Sequence, residues 1–147
     1  MCKVLSGMRE ACRGIIGNLP PLRDAEEGVI GALAGDGPAD TPLLLARCEQ
    51  VRGAWQTLSR FLPLFRKIEP GGESALCEEA MQLVHLVDLI MNCLIPLDKF
   101  DQLAKACAAE PRDENALATI RVELLTMHMF KQQMYTALHN TLLNCDV

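Results

Sequence analysis

From Leu76 to Ile95 apolar side chains recur with helical spacing, and Leu76, Ala80, Leu83, Val84, Val87, Ile90, Met91 and Leu94 share one face. Leu86, Cys93 and Ile95 widen that face to roughly 200° of the wheel at 100° per residue. A helix this apolar is expected to be surrounded by other helices or by lipid. Gln82, His85, Asp88 and Asn92 form a polar stripe along it, and the uninterrupted apolar run is shorter than the ~18 residues of a membrane span. The spacing therefore predicts the central helix of a bundle, over about 75–95, with Ser74 as its N-cap and Glu78 and Glu79 in its early turns.

The neighbouring segments supply amphipathic helices to surround it. A first helix is predicted over Cys2 to Asn18, with Val4, Leu5, Met8, Cys12, Ile15, Ile16 and Leu19 on one face and Pro20-Pro21 ending it. A second, about Leu22 to Ala34, has Leu22, Ala25, Val29, Ala32 and Leu33 as its face; the small size of Gly28 and Gly31 would allow close approach of a neighbour. After a loop from Gly35 to Asp40, Thr41 is expected to cap a third helix with Pro42 at its first position. Its face runs Leu43, Leu44, Cys48, Val51, Ala54, Trp55, Leu58, Phe61 and Leu62, with Arg47 at the edge of the core, and Pro63 kinks or ends it.

A short helix is predicted from about Asp98 to Ala108, with Phe100, Leu103, Ala104 and Cys107 inward. The last and longest helix is predicted over about 113–143, spanning about 45 Å at 1.5 Å per residue. Leu117, Ile120, Leu124, Met127, Met134, Leu138 and Leu142 form its main face, and Ala118, Val122, Leu125 and Met129 a second stripe confined to the first half. The first half is therefore expected to be buried on two sides, and the second half to be amphipathic and to project. The fold class read from this pattern is all-α: one domain, residues 1–147, of five or six helices.

Composition narrows the function classes. With 147 residues, half of them apolar, the chain has material for a core without staples. The net charge of −5 and the few aromatics, one Trp, one Tyr and four Phe, argue against a nucleic-acid binder. Arg47, Arg52, Arg60, Arg66 and Lys67 cluster in sequence and read as a solvated face. Seven cysteines, at wide spacing and without CxxC, read as reduced thiols in an intracellular, cytoplasmic setting, with nothing that opposes the nucleus. Lys3, Arg9, Glu10 and Arg13 interrupt the N-terminal apolar pattern, so no signal peptide is expected there. Cys2 and Cys145, near the ends, are the expected exposed thiols.

Candidate chemistry is sparse. His85 lies one turn from Asp88, a possible histidine–carboxylate pair. His128 and His139 are three helical turns apart, too far for one metal ion; His139 with Cys145 is the remaining zinc candidate. Gly28, Gly31 and Gly35 lack the strand and lysine of a phosphate loop. No metal site, cofactor or catalytic set is assigned. Met127, Met129, Phe130, Met134 and Tyr135 give the last helix a methionine-rich segment with two rings, the kind of adaptable surface that accepts partner helices. Trp55 lies within the apolar face of its helix and reads as core.

These features point to a non-enzymatic interaction module, an adaptor, regulator or oligomerising scaffold, that buries an apolar helix face or groove against a partner helix or a second copy of itself. The expected partner-binding residues are Phe130, Met134, Tyr135, Met127 and Lys131. An apolar helix wrapped by amphipathic ones is similar in plan to Bcl-2-like bundles, including viral ones, which would imply binding of an amphipathic peptide; no NWGR-like motif accompanies it. A small enzyme or metal protein using His85 or a Cys/His set is the third reading.

Overall fold

A computed structural model describes residues 2–34, 40–63 and 78–144, with side chains from Ser6 onward in the first segment. Within them the protein is all-helical: α1 (Cys2–Gly17), α2 (Leu19–Leu33), α3 (Thr41–Ser59), α4 (Glu78–Asn92), α5 (Leu97–Ala108) and α6 (Glu114–Leu143). The Glu110–Pro111 peptide between α5 and α6 is cis.

Local chemistry sets the helix ends. α1 ends where Asn18 turns out of the helix; the Gly14 carbonyl accepts from both its backbone amide at 3.1 Å and its side-chain amide at 2.7 Å. Pro20-Pro21, expected to end the first helix, instead opens the second, which starts at Leu19 rather than Leu22. The reason is that proline's missing N–H falls where a helix needs no donor and its fixed φ already suits the first turn. The cap of α3 is Asp40, one residue before the expected Thr41; its carboxylate accepts from the Leu43 amide at 3.2 Å. Thr41 is released to accept from Arg112 at 3.0 Å, tying the start of α3 to the start of α6. At the head of α6 the Asp113 carboxylate accepts from the Ala116 amide at 3.0 Å.

The helices share one core. α3 packs along both α2 and α5, α5 along α6, α2 against α6, and α1 against α4, α2 and α3. Leu44, Cys48, Val51 and Leu58 of α3 face Leu22 and Val29 of α2 and Phe100 and Leu103 of α5 across this core, all buried. Phe61, just past α3, lies directly on α1: a Cβ at Gly14 would sit 2.4 Å from its ring, so glycine is required there for close approach. The expected close approach at Gly28 is made by the Arg47 stem, 3.4 Å from a Cβ built there, whereas Gly31 faces open space.

One expectation is overturned. α4 is not enclosed on every side. Ala80, Leu83, Leu86, Val87 and Ile90 are buried, but Met81, Val84 and Leu89 stand exposed, because α1 and the α6 side cover only one face of the helix. α4 also ends at Asn92; Cys93, Leu94 and Ile95 are buried in the connection to α5 rather than in the helix. Leu76, Cys77 and the proposed cap Ser74 lie outside the described residues.

Candidate functional site

Two features of α6 stand out, one on each side. On the inner side it covers a buried ionic cluster. In α2, Leu22, Glu26, Val29 and Leu33 follow one another at core spacing, so a carboxylate occupies a position that the helix turns inward. Glu26 is 0% exposed and Arg23, one turn earlier, 3%. The guanidinium lies 3.7 Å from each of the Glu26 and Glu27 carboxylates, beyond hydrogen-bond reach. None of its three nitrogens has a hydrogen-bond partner within the protein, nor has Oε1 of Glu26. The other Glu26 oxygen accepts a long bond from the Ile95 amide, 3.5 Å.

α6 closes this cluster from above. The Tyr135 ring stacks over the Arg23 guanidinium with 4.7 Å from Cζ to the ring centre, a cation–π contact made in the interior. Lys131 donates to the carbonyls of Asn92 at 3.0 Å and Leu94 at 2.6 Å, capping the end of α4. His128 brings a buried Nδ1 with no partner.

Burial pushes the Glu26 carboxyl up to about 7, outweighing the pull of Arg23, the Ile95 amide and Lys131 toward the ionised form. Burial likewise raises the Cys93 thiol and the Tyr135 hydroxyl. Burial, with Arg23 beside it, lowers His128. A carboxyl poised near neutrality is what proton-transfer chemistry uses, but a substrate needs room beside it. The two described clefts lie elsewhere. One, about 690 Å³, runs between α5 and α6 with a floor of Ala106, Ala109, Ala116 and Ile120. The other, about 460 Å³, lies between α2 and α3 over Asp24, Arg47 and Gln50.

On its outer side α6 presents hydrocarbon to solvent. Ala118, Val122, Leu125 and Met129 follow the 4-3-4 spacing of a helix-pairing seam. Val122 is 64% exposed, Met129 71%, Ala118 exposed and Leu125 half-buried. The expectation that the first half of this helix is buried on two sides is therefore corrected: α5 and the core cover Leu117, Ile120 and Leu124, and of the opposite stripe only Leu125 packs partly against the core while Ala118, Val122 and Met129 are exposed. Periodicity shows which residues share a face; it does not supply the neighbour.

The five residues expected to bind a partner do not form one open surface. Phe130 is 71% exposed at the edge of the outer side. Met127, Met134 and Tyr135 are partly buried against the core, and Lys131 is held by the α4 carbonyls. His85, Asp88 and His139 are exposed, and among the described residues no three metal-ligating side chains come together. Cys145 lies outside the described residues, as do Cys77, Arg66 and Lys67; for Cys2 the side chain does. Cys12, Cys48, Cys93 and Cys107 are core residues, and burial pushes the Cys48 thiol up to about 12. Trp55 is partly buried against the core. Arg52 leaves the basic cluster to pair with Asp101 of α5.

Sequence reasoning passed over Arg23 and Glu26. The available signal was the register Leu22, Glu26, Val29, Leu33, which places a charge where a fourth apolar residue belongs. The stretch Glu78–Ala108 contains a window long and apolar enough to cross a membrane, with mean hydropathy 1.6, and 44% of that window is buried inside the protein. No family model matches the chain, and neither a curated protein nor a solved structure does.

Proposed function

We propose that this protein is a non-enzymatic helical interaction module, and that the outer stripe of α6 is its docking surface. The observation that carries this reading is the seam Ala118, Val122, Leu125 and Met129, apolar, with all but the half-buried Leu125 exposed, on a helix whose other side already holds the bundle together. A seam of this spacing takes a helix with the same spacing, knobs of one set between those of the other. The occupant proposed is a second copy of this chain, whose own stripe is such a helix. Thr119 and Thr126, uncharged, border the stripe on one side and Arg121 on the other, so no carboxylate stands directly beside its central residues Val122 and Leu125. A two-fold arrangement would let each stripe serve as the other's partner.

Phe130, at the rim, extends the surface; Met127, Met134, Tyr135 and Lys131 support it from the inner side by fixing where α6 lies. The reading keeps the chain in a reducing, intracellular compartment, supported by its odd, widely spaced cysteines. It places Glu78–Ala108 within the fold rather than across a membrane, supported by the break between α4 and α5 and by the charges Asp88, Asp98 and Lys99.

Sedimentation velocity over a concentration series tests it. The wild-type chain is expected to shift to twice its monomer mass, and the double variant Val122→Glu, Met129→Glu to remain monomeric, with the same melting midpoint as the wild type at concentrations where both are monomers. A wild-type monomer at several hundred micromolar would sink the self-pairing surface.

A further inference from the structure

We propose that the buried Arg23–Glu26 pair, with Tyr135 stacked over it and Lys131 beside it, is a proton-operated latch that holds the second half of α6 on α2. This inference does not depend on the docking surface.

The two halves of α6 are anchored differently. Leu117, Ile120 and Leu124 bury the first half on hydrocarbon. Beyond Leu124 only Leu138 is buried; Met127, Met134 and Leu142 are partly so, and the remaining inner contacts are polar: Tyr135 on Arg23, Lys131 on the Asn92 and Leu94 carbonyls, and His128. Lifting the second half therefore gives up the full burial of Leu138 alone and the partial burial of Met127, Met134, Tyr135 and Leu142. It also gives water to the groups that have no partner while α6 is closed: the three nitrogens of Arg23, Oε1 of Glu26 and Nδ1 of His128. The closed state carries that desolvation, and its size depends on whether Glu26 is charged.

The groups facing Glu26 set the direction. From α2 itself, Arg23 favours the ionised form and Glu27 opposes it; from α6, Lys131 favours it; from the α4–α5 connection, the Ile95 amide favours it, with the Cys93 thiol nearby. Tyr135 and His128 of α6 face Arg23. The described charged residues of α1, Arg9, Glu10 and Arg13, lie at the surface, and Arg47 of α3 runs along Gly28, on roughly the opposite side of α2 from Glu26. Burial prevails over these attractions, so the closed latch holds the proton, taken from solvent, until near pH 7, whereas a water-exposed Glu26 releases it near its ordinary value of 4.5. Proton release from Glu26 thus favours the open form and its protonation the closed one, while His128, lowered by burial, acts in the opposite sense.

Two measurements test this on the full chain. Amide hydrogen exchange, corrected for intrinsic rates, is compared at pH 6 and pH 8. His128→Asn removes the opposing titration of His128, and in that background opening of the second half of α6 is expected to increase about tenfold at the higher pH, the factor that linkage gives for the two proton affinities of Glu26. The amides around Leu117 to Leu124 are expected to keep their protection. Adding Glu26→Gln to that background is expected to abolish the pH difference. Equal protection at both pH values in His128→Asn, or the same tenfold loss after Glu26→Gln is added, overturns the latch. Should the variant not fold, the carboxyl carbon of Glu26 followed by NMR in the wild type decides: a midpoint near 7 supports the latch, and one between 4 and 5 overturns it.

Discussion

The two sides of α6 reverse the usual partition of side chains. Its inner side closes over a guanidinium and a carboxylate that water does not reach, while its outer side holds valine and methionine in solvent. The inner side's apolar residues make the helix part of the bundle; its ionic cluster makes that attachment dependent on conditions. On the outer side only Leu125 packs against the core. The contrast teaches that burial and polarity are decided separately in a helix with few neighbours. Position relative to α2 and α5 selects what is covered, and residue type decides only what that covering is worth.

The sharpest way to break the comparison is to truncate one residue on each side. Leu124, fully buried, faces the core, and Leu124→Ala is expected to lose about 2–5 kcal/mol, read as a lower urea midpoint at constant slope. Val122→Ala, two residues away but outward, is expected to stay within about 0.5 kcal/mol at concentrations where the chain is monomeric. Comparable losses at both positions would show that the outer stripe is packed after all.

The next effect concerns the cluster. Glu26 is raised from 4.5 to about 7 in the folded state, so its protonation contributes stability that is fully present below pH 4.5 and is lost as pH rises through about 7. The total is on the order of 3 kcal/mol, and Glu26→Gln is expected to flatten this part of the stability–pH profile. Denaturant titrations at intervals from pH 4.5 to 8 measure it; stability rising over that window through this group would contradict the burial of Glu26. A smaller effect sharpens the picture of how α6 is held. Lys131→Met removes the two bonds to Asn92 and Leu94 and is expected to lower stability by about 1 kcal/mol, with faster exchange at the end of α4.

Much of the architecture was legible from spacing. Among the described residues six helices are found in the predicted order, and the main face of α6 through Leu117, Ile120, Leu124 and Leu138 is the buried one. The local differences concern helix starts. Pro21 suits the first turn of the second helix, as its fixed φ predicts, but that helix starts at Leu19 rather than Leu22, and Asp40 caps α3 in place of Thr41, one residue away. The candidate surface was half legible. The stripe Ala118 to Met129 was visible as a pattern and misassigned to the core, because a repeat of apolar residues looks the same whether its partner is in the chain or outside it. Arg23 and Glu26 were missed because charged residues on a helix usually face water, and only packing under α6 shows that these do not.

By itself, the sequence determined that the chain forms helices, where they begin and end to within a few residues, and which residues lie along each face. Those properties follow from the 3.6-residue turn, from caps and from proline, all of them local. The tertiary structure alone decided which faces found neighbours: that α4 leaves Met81, Val84 and Leu89 in solvent, that the outer stripe of α6 stays bare, and that an arginine and a glutamate share the interior. Coverage depends on where distant segments pack, and a short-range repeat carries no record of that.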